Sequence, residues 1–282
     1  MTLPLPRRIR SLLFAPAVRP DLVSKMPATG ADAAVIDCED ATPVAAKDQA
    51  RIDSALLAAE IGAAIPTLIR VNAVDTPWFL GDIAALPAGL AGIVLPKVES
   101  LDGLEVAARA LDQRGMGDTP VIAGIETALG VADSRLLLDH RIIAAAYFGA
   151  EDFIADMGGV RSQSNHEVDF ARAAVAIAGR IAAVPVIDQI VADFHDDSRC
   201  RLECLQARAM GYAGKLCIHP SQVSIANAAF TPSADEVERA RRLLAAFESA
   251  STNGIAAIDF EGQMVDEPVA SQARRVIESV AD

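Results

Sequence analysis

Positive charge is scarce in this chain. Its 282 residues carry 25 lysines and arginines against 38 aspartates and glutamates, a formal net charge of −13. A general nucleic-acid binder needs a basic face to displace counterions, so no nucleic-acid partner is expected, although local basic spots would still suit an anionic substrate. Cysteine is sparse as well. Cys38, Cys200, Cys204 and Cys217 are too few and too irregular for the disulfide framework of a small secreted domain, and a reducing compartment fits them better. No stretch approaches the roughly 18 uninterrupted apolar residues of a spanning helix, so no membrane partner is expected. Arg7, Arg8 and Arg10 before "SLLFAPA" loosely imitate a secretory signal, but the apolar run is short and Arg19 and Asp21 follow at once. The expectation is a soluble cytoplasmic protein. Missing too are a Gly-x-Gly-x-x-Gly after an early strand and a Walker-type phosphate loop, which removes the usual marks of dinucleotide and nucleotide sites.

What the chain does have is apolar material, 52% of residues against 22% charged, enough for one large core, alone or with an appendage. Eight short runs recur: "SLLFAP" from Ser11, "AAVID" from Ala33, "TLIRV" from Thr67, "GIVLP" from Gly92, "VIAGI" from Val121, "AAAYFG" from Ala144, "VPVID" from Val184 and "GKLCI" from Gly214. Stretches with helical spacing lie between them, among them Ser54 to Ala64, Leu101 to Gln113, Val168 to Ala183 and Arg199 to Met210. Apolar runs without strict alternation are what parallel strands covered on both faces show. Eight β-then-α units in about 225 residues match an α/β fold of the (β/α)8 TIM barrel type, with the active site on the loops after the strands. An open doubly wound sheet is the competing fold. Beyond Pro232 the character changes to a charged helix from Ala234 to Ala250, a loop or hairpin, and a last helix from Val269 to Val280. The expected organisation is a barrel over residues 1–230 and a C-terminal helical and hairpin appendage over 231–282.

Polar residues stand at one end of nearly every strand: Glu39 and Asp40 after the second, Arg70 and Asn72 at the third, Lys97 and Glu99 after the fourth, Glu126 and Thr127 after the fifth, Glu151 and Asp152 after the sixth, Asp188 at the seventh, His219 after the eighth. In a barrel these converge on one mouth with an excess of negative charge that a cation would relieve. Neighbouring strands lie about 4.8 Å apart, and Mg²⁺ takes oxygen ligands at about 2.1 Å while keeping waters for a substrate to replace. Glu126 and Asp152 are therefore candidate metal ligands, with helix capping as the competing role for each. Glu39 and Asp40 would orient metal-bound waters or pair with an arginine. Arg70, a charge within an apolar strand, requires a buried partner, Glu39 or Asp40, and would also offer a fork to a substrate carboxylate or carbonyl. Among only four lysines, Lys25 lies after the first strand near Arg19 and is the candidate contact for a phosphate-bearing substrate, against a solvated helix face. Cys200 and Cys204 read as buried thiols, since no histidine completes a zinc site. His140, His166 and His195 show no recognisable partners.

The ordered set "RSLLFAPAVRP", "DCEDA", "IRVN", "LPKVES", "GIETALG", "FGAEDF", "GYAGKLCIHPSQ", "FTPSADEVERA" and "GQMVDEP" resembles the citrate lyase beta-subunit and malyl-CoA lyase family over nearly the whole chain. The resemblance implies a TIM barrel, trimeric or hexameric as a homo-oligomer, that uses Mg²⁺ to make or break a carbon–carbon bond between an acyl thioester, on CoA or a carrier, and a small oxo acid. It implies Glu126 and Asp152 as metal ligands, Glu126 also facing the substrate, Arg70 at the oxo-acid carboxylate, and Glu39 and Asp40 as the acidic pair beside the metal. It further implies Asp266 of "MVD" as the acid for proton transfer, with a helix N-cap as the competing reading because Pro268 follows closely. Cys38 departs from the family's usual aliphatic residue. A thioesterase on the same scaffold, or a beta subunit active only within a citrate lyase complex, are the alternatives to a free-standing lyase.

Overall fold

The computed structural model describes residues 2–280, and the chain divides into two compact units, Met1–Asn227 and Ala228–Asp282. Eight strands build the first: β1 Ser11–Pro16, β2 Ala33–Asp37, β3 Thr67–Arg70, β4 Gly92–Leu95, β5 Val121–Ile125, β6 Ile143–Phe148, β7 Val186–Asp188 and β8 Gly214–Cys217. They form a closed barrel in sequence order, every neighbouring pair parallel and β1 meeting β8 at Ser11↔Lys215. The expected (β/α)8 barrel is thus the observed one, and the open sheet is excluded. Several boundaries differ from the sequence pattern by a few residues, among them the last helix, Glu267–Glu278 in place of Val269 to Val280, and two differences have a clear local cause. β7 begins at Val186 and not Val184, because Pro185 has no N–H for a ladder, although its carbonyl still accepts from the Ala146 N–H. The helix read from Ser54 already starts at Lys47, in a polar segment where apolar spacing gives no signal.

Strand parity decides what fills the barrel. Side chains alternate faces along a strand, and Leu12, Val35, Leu68, Val94, Ile122, Ala145, Ile187 and Leu216 form one buried cluster inside it. Two residues further toward the carboxyl ends, the same parity brings Phe14, Asp37, Arg70, Tyr147 and Ile218 to a cavity at the mouth. Parity also corrects one expectation. Ile187 faces inward, so Asp188 faces the outer helices and not the mouth. There it accepts from Arg172 Nε and Nη2, both at 3.0 Å, and from Lys215 Nζ at 2.7 Å, while Lys215 also reaches Glu203 at 3.1 Å. All four side chains are buried, so each charge depends on the others for compensation.

The second unit has its own small core of Ala240, Leu243, Phe247, Val265, Ala270 and Ala273. Ser233 and Glu236 form a capping box at the start of helix Ala234–Thr252. β9 Ile258–Phe260 and β10 Gln263–Val265 make an antiparallel hairpin. Its two-residue turn, Glu261 and Gly262, has φ of 54° and 78°, the pair of positive values that matches strand twist. Asp266 then caps helix Glu267–Glu278, accepting from the Val269 N–H at 3.4 Å.

Removing one partner from a buried ion cluster leaves uncompensated charge, typically at about 3–5 kcal/mol. Asp188→Ala is expected to lower unfolding free energy by roughly that amount, measured by urea denaturation; a loss below about 1 kcal/mol would mean that water or Glu203 compensates both cations.

Candidate active site at the barrel mouth

The acidic turn after β2 is built around Asp37. Its carboxylate accepts from the Glu39 N–H at 2.8 Å and the Ala41 N–H at 3.2 Å, which folds "DCEDA" back over the strand end. From the neighbouring β3, Arg70 closes on the same carboxylate in a two-pronged pair, Nε and Nη2 each at 2.7 Å. Lys47, buried, pins the turn from behind by donating to the carbonyls of Cys38 and Glu39 and to Asn72 Oδ1. The partner of Arg70 is therefore chiefly Asp37. Of the two partners expected, Glu39 approaches Nη1 at 3.1 Å and Asp40 pairs with Lys97 instead.

Lys97, which sequence reasoning left without a role, sits among the carboxylates. Its Nζ lies 2.5 Å from Glu39 Oε1, 3.3 Å from Asp40 Oδ2 and 3.4 Å from Asp152 Oδ1. Its φ is 51°, a left-handed conformation that a lysine adopts only under constraint. This conformation lets the Lys97 N–H donate to Glu126 Oε1 at 2.8 Å.

Glu126 follows β5 and is 1% exposed. It does not cap the next helix, because the Thr127 hydroxyl does so by accepting from the Gly130 N–H. Instead Glu126 lines the mouth cavity of about 490 Å³ together with Asp37, Asp40, Arg70, Tyr147 and Asp152. Two glycines make room for it. A Cβ on Gly149 would collide with Glu126, and one on Gly124 would run into the Tyr147 hydroxyl and crowd Glu126 Oε1. Asp152 stands in the first turn of helix Ala150–Asp156, a little beyond its strand, where a negative charge also suits the helix N-terminus.

The electrostatics follow from this crowding. Burial pushes the Glu126 carboxyl up to about 7, with the Asp152 charge adding to the shift. Burial likewise raises Asp152 and Glu39. Asp40 is raised by burial but ends below its ordinary range because Lys97 and Arg70 outweigh that effect. Burial depresses Lys97, and Glu39 more than reverses it. Glu39 Oε2, although near Arg70, has no hydrogen-bond partner among the described residues.

The structure thus brings Glu39, Asp40, Arg70, Glu126 and Asp152 together. Lys25 is exposed in the β1–β2 connection, and Asp266 belongs to the C-terminal unit as a helix cap. Among the described residues no three His, Cys, Asp or Glu side chains form a ready metal cage. The donor set that fits Mg²⁺ is a pair of carboxylates with raised pKa and space beside them for water or substrate oxygens. All four cysteines are buried. The histidines do find partners: His140 with Glu105 and His166 with Asp169, each at 3.0 Å, His219 with Ser221 at 2.8 Å, and His195 against the Phe194 ring.

Residues 10–220 match the model of the HpcH/HpaI aldolase/citrate lyase family, and the chain belongs to that family. It is 42% identical over 277 residues to a citrate lyase subunit beta-like protein of Deinococcus radiodurans, covering 96% of this chain and 97% of that protein. It is 32% identical over 260 residues to the (3S)-malyl-CoA thioesterase of Cereibacter sphaeroides, covering 91% of this chain and 89% of that protein. Among solved structures it is similar to protein CitE from Mycobacterium tuberculosis in complex with magnesium, acetoacetate and coenzyme A. The TM-score is 0.82 at 31% identity, covering 98% of this chain and 100% of that one.

The raised Glu126 carboxyl gives stability a pH dependence of definite sign. Between its ordinary value of 4.5 and about 7, the folded chain holds a proton that the unfolded chain has released, so this group's contribution to stability falls as pH rises through that window. Glu126→Gln removes the effect. In melts of metal-free protein, the melting temperature of Glu126→Gln relative to the parent is expected to rise from about pH 5 to about pH 8; a constant difference would show that Glu126 ionises without penalty.

Proposed function

We propose that this member of the HpcH/HpaI aldolase/citrate lyase family is a Mg²⁺-dependent carbon–carbon lyase. Its substrate would be a 3-hydroxyacyl thioester of the malyl-, citramalyl- or citryl-CoA type, cleaved into an acyl thioester and an oxo acid, or formed from them. The observation that carries the reading is the convergence of Glu126, Asp152 and Arg70 on one cavity. Glu126 and Asp152 would hold the ion, which when bound polarises the oxygen of the oxo-acid portion. Arg70, kept rigid by Asp37, orients the oxo-acid carboxylate and offsets its charge. Glu39 and Asp40 hold the Lys97 ammonium at the rim, adding positive field where the reaction develops negative charge.

Cleavage releases the proton of the substrate hydroxyl to water, turns the hydroxyl-bearing carbon into the carbonyl of the oxo acid, and leaves the electron pair of the broken carbon–carbon bond on the thioester fragment as an enolate. The α-carbon of that fragment must then gain a proton. Asp266 is proposed to supply it, worth about 10² to 10⁴ in rate, with residues 231–282 packing on the barrel mouth of a neighbouring subunit in a homotrimer or homohexamer. The cap engages Asp266 Oδ1, which accepts from the Val269 N–H, and this role would fall to Oδ2. Lys25, exposed after β1, is proposed to meet the phosphates of CoA.

The malyl-CoA thioesterase relative supports a second reading, hydrolysis of the thioester on the same scaffold. The citrate lyase subunit beta-like relative supports a third, activity only within a larger complex. The products separate them. Purified protein incubated with Mg²⁺ and malyl-, citramalyl- or citryl-CoA, analysed by mass spectrometry, is expected to yield a shortened acyl-CoA and an oxo acid. Free CoA with the intact hydroxy acid would establish the thioesterase, and absence of turnover would favour the subunit.

A further inference from the structure

The floor of the cavity carries a polar group that the proposed chemistry leaves without a task. Tyr147 lies near the end of β6 and is 2% exposed. Parity turns its ring into the barrel, where it packs edge-on against Phe14 with centroids 6.4 Å apart, and it lines the same cavity as Arg70 and Glu126. Its O–H has no acceptor among the described residues, and the Arg70 guanidinium beside its oxygen can only donate. A buried hydroxyl left unpaired is unfavourable, and phenylalanine would fill the same space without that cost. The backbone nevertheless accommodates it: Gly124, on the adjacent strand, is the residue whose Cβ would collide with the hydroxyl.

What the hydroxyl needs follows from its neighbours. Glu126 accepts the Lys97 N–H, and Asp37 is committed to Arg70 and to its own turn. Arg70 has only donors, with its guanidinium over the Phe14 ring, 5.4 Å from the centroid. A ligand oxygen entering the cavity beside Arg70 would meet positive charge and the Tyr147 O–H together. An anionic oxygen satisfies both at once, whereas an apolar group leaves the hydroxyl unpaired.

We infer that Tyr147 is a substrate-binding residue whose O–H donates to the carboxylate of the small oxo acid, beside Arg70. The inference rests on the lyase reading, whose oxo acid it would hold, and adds a specificity element at the cavity floor.

Isothermal titration calorimetry in the presence of Mg²⁺, with pyruvate and glyoxylate as probes and CoA titrated separately, tests it on the parent protein and Tyr147→Phe. A hydrogen bond to a charged group predicts oxo-acid affinity lowered by about 10- to 100-fold in the variant, with CoA affinity unchanged and melting temperature equal or higher. Equal oxo-acid affinity in the two proteins would overturn the role of Tyr147 and leave the lyase reading standing. A lower melting temperature with CoA and oxo acids weakened alike would also overturn it, by showing a structural role. If the parent binds neither oxo acid, the lyase reading fails and this inference with it.

Discussion

The mouth of the barrel is organised around the two-pronged ion pair of Arg70 and Asp37. The two residues are register partners on adjacent strands and share one inward parity, so an extended arginine meets a carboxylate at its own level. Both are largely removed from water, which makes the pair costly to break from either side. Everything acidic nearby takes its position from it. Asp37 uses its remaining acceptor capacity to fold the following turn, the turn aims Glu39 at Arg70 and Lys97, and Lys97 joins Glu39, Asp40 and Asp152. The backbone of Lys97 then fixes Glu126. Five carboxylates are thereby held against two cations; burial raises Glu126, Asp152 and Glu39, the neighbouring acids add to it, and the surplus of negative charge makes the mouth receptive to a divalent ion.

Much of this was legible in the sequence, for one reason: a parallel barrel places every strand's carboxyl end at the same rim, so residues just after apolar runs are rim candidates without knowledge of their contacts. That rule found Glu39, Asp40, Arg70, Glu126 and Asp152. It failed at Asp188, where the last strand residue has outward parity and serves a buried cluster with Arg172, Lys215 and Glu203. The signal was available, since Ile187 and Asp188 must face opposite sides. Asp37 was passed over as a strand residue although its inward parity was equally readable. The same rule put Lys97 at the rim but not its contacts with three carboxylates, because its left-handed backbone is imposed by tertiary contacts; Lys47, whose three acceptors come from two separate segments, was not readable. Tyr147 was concealed within an apolar run, and only the missing hydroxyl partner distinguishes it from core.

The histidines show the same limit from the other side. Single-residue patterns gave His140 and His166 no partners, yet each meets a carboxylate, one of them 35 residues away. The C-terminal unit was easier, because its signals are local. Ser233 with Glu236 marks a helix start, Glu261 with Gly262 a tight hairpin turn, and Asp266 ahead of Pro268 another helix start. Capping by Asp266 and proton transfer by Asp266 draw on the same half-buried carboxylate, so the local signal alone never separates them.

Glu126 and Asp152 are proposed to constitute the metal site together. Direct calorimetric titration of Mg²⁺ into chelator-treated parent protein, Glu126→Gln and Asp152→Asn tests it without reference to any substrate. Binding to the parent is expected to strengthen as pH rises through about 7 and to release protons, with a loss of at least about tenfold in each variant. Undiminished Mg²⁺ affinity in either variant would contradict it.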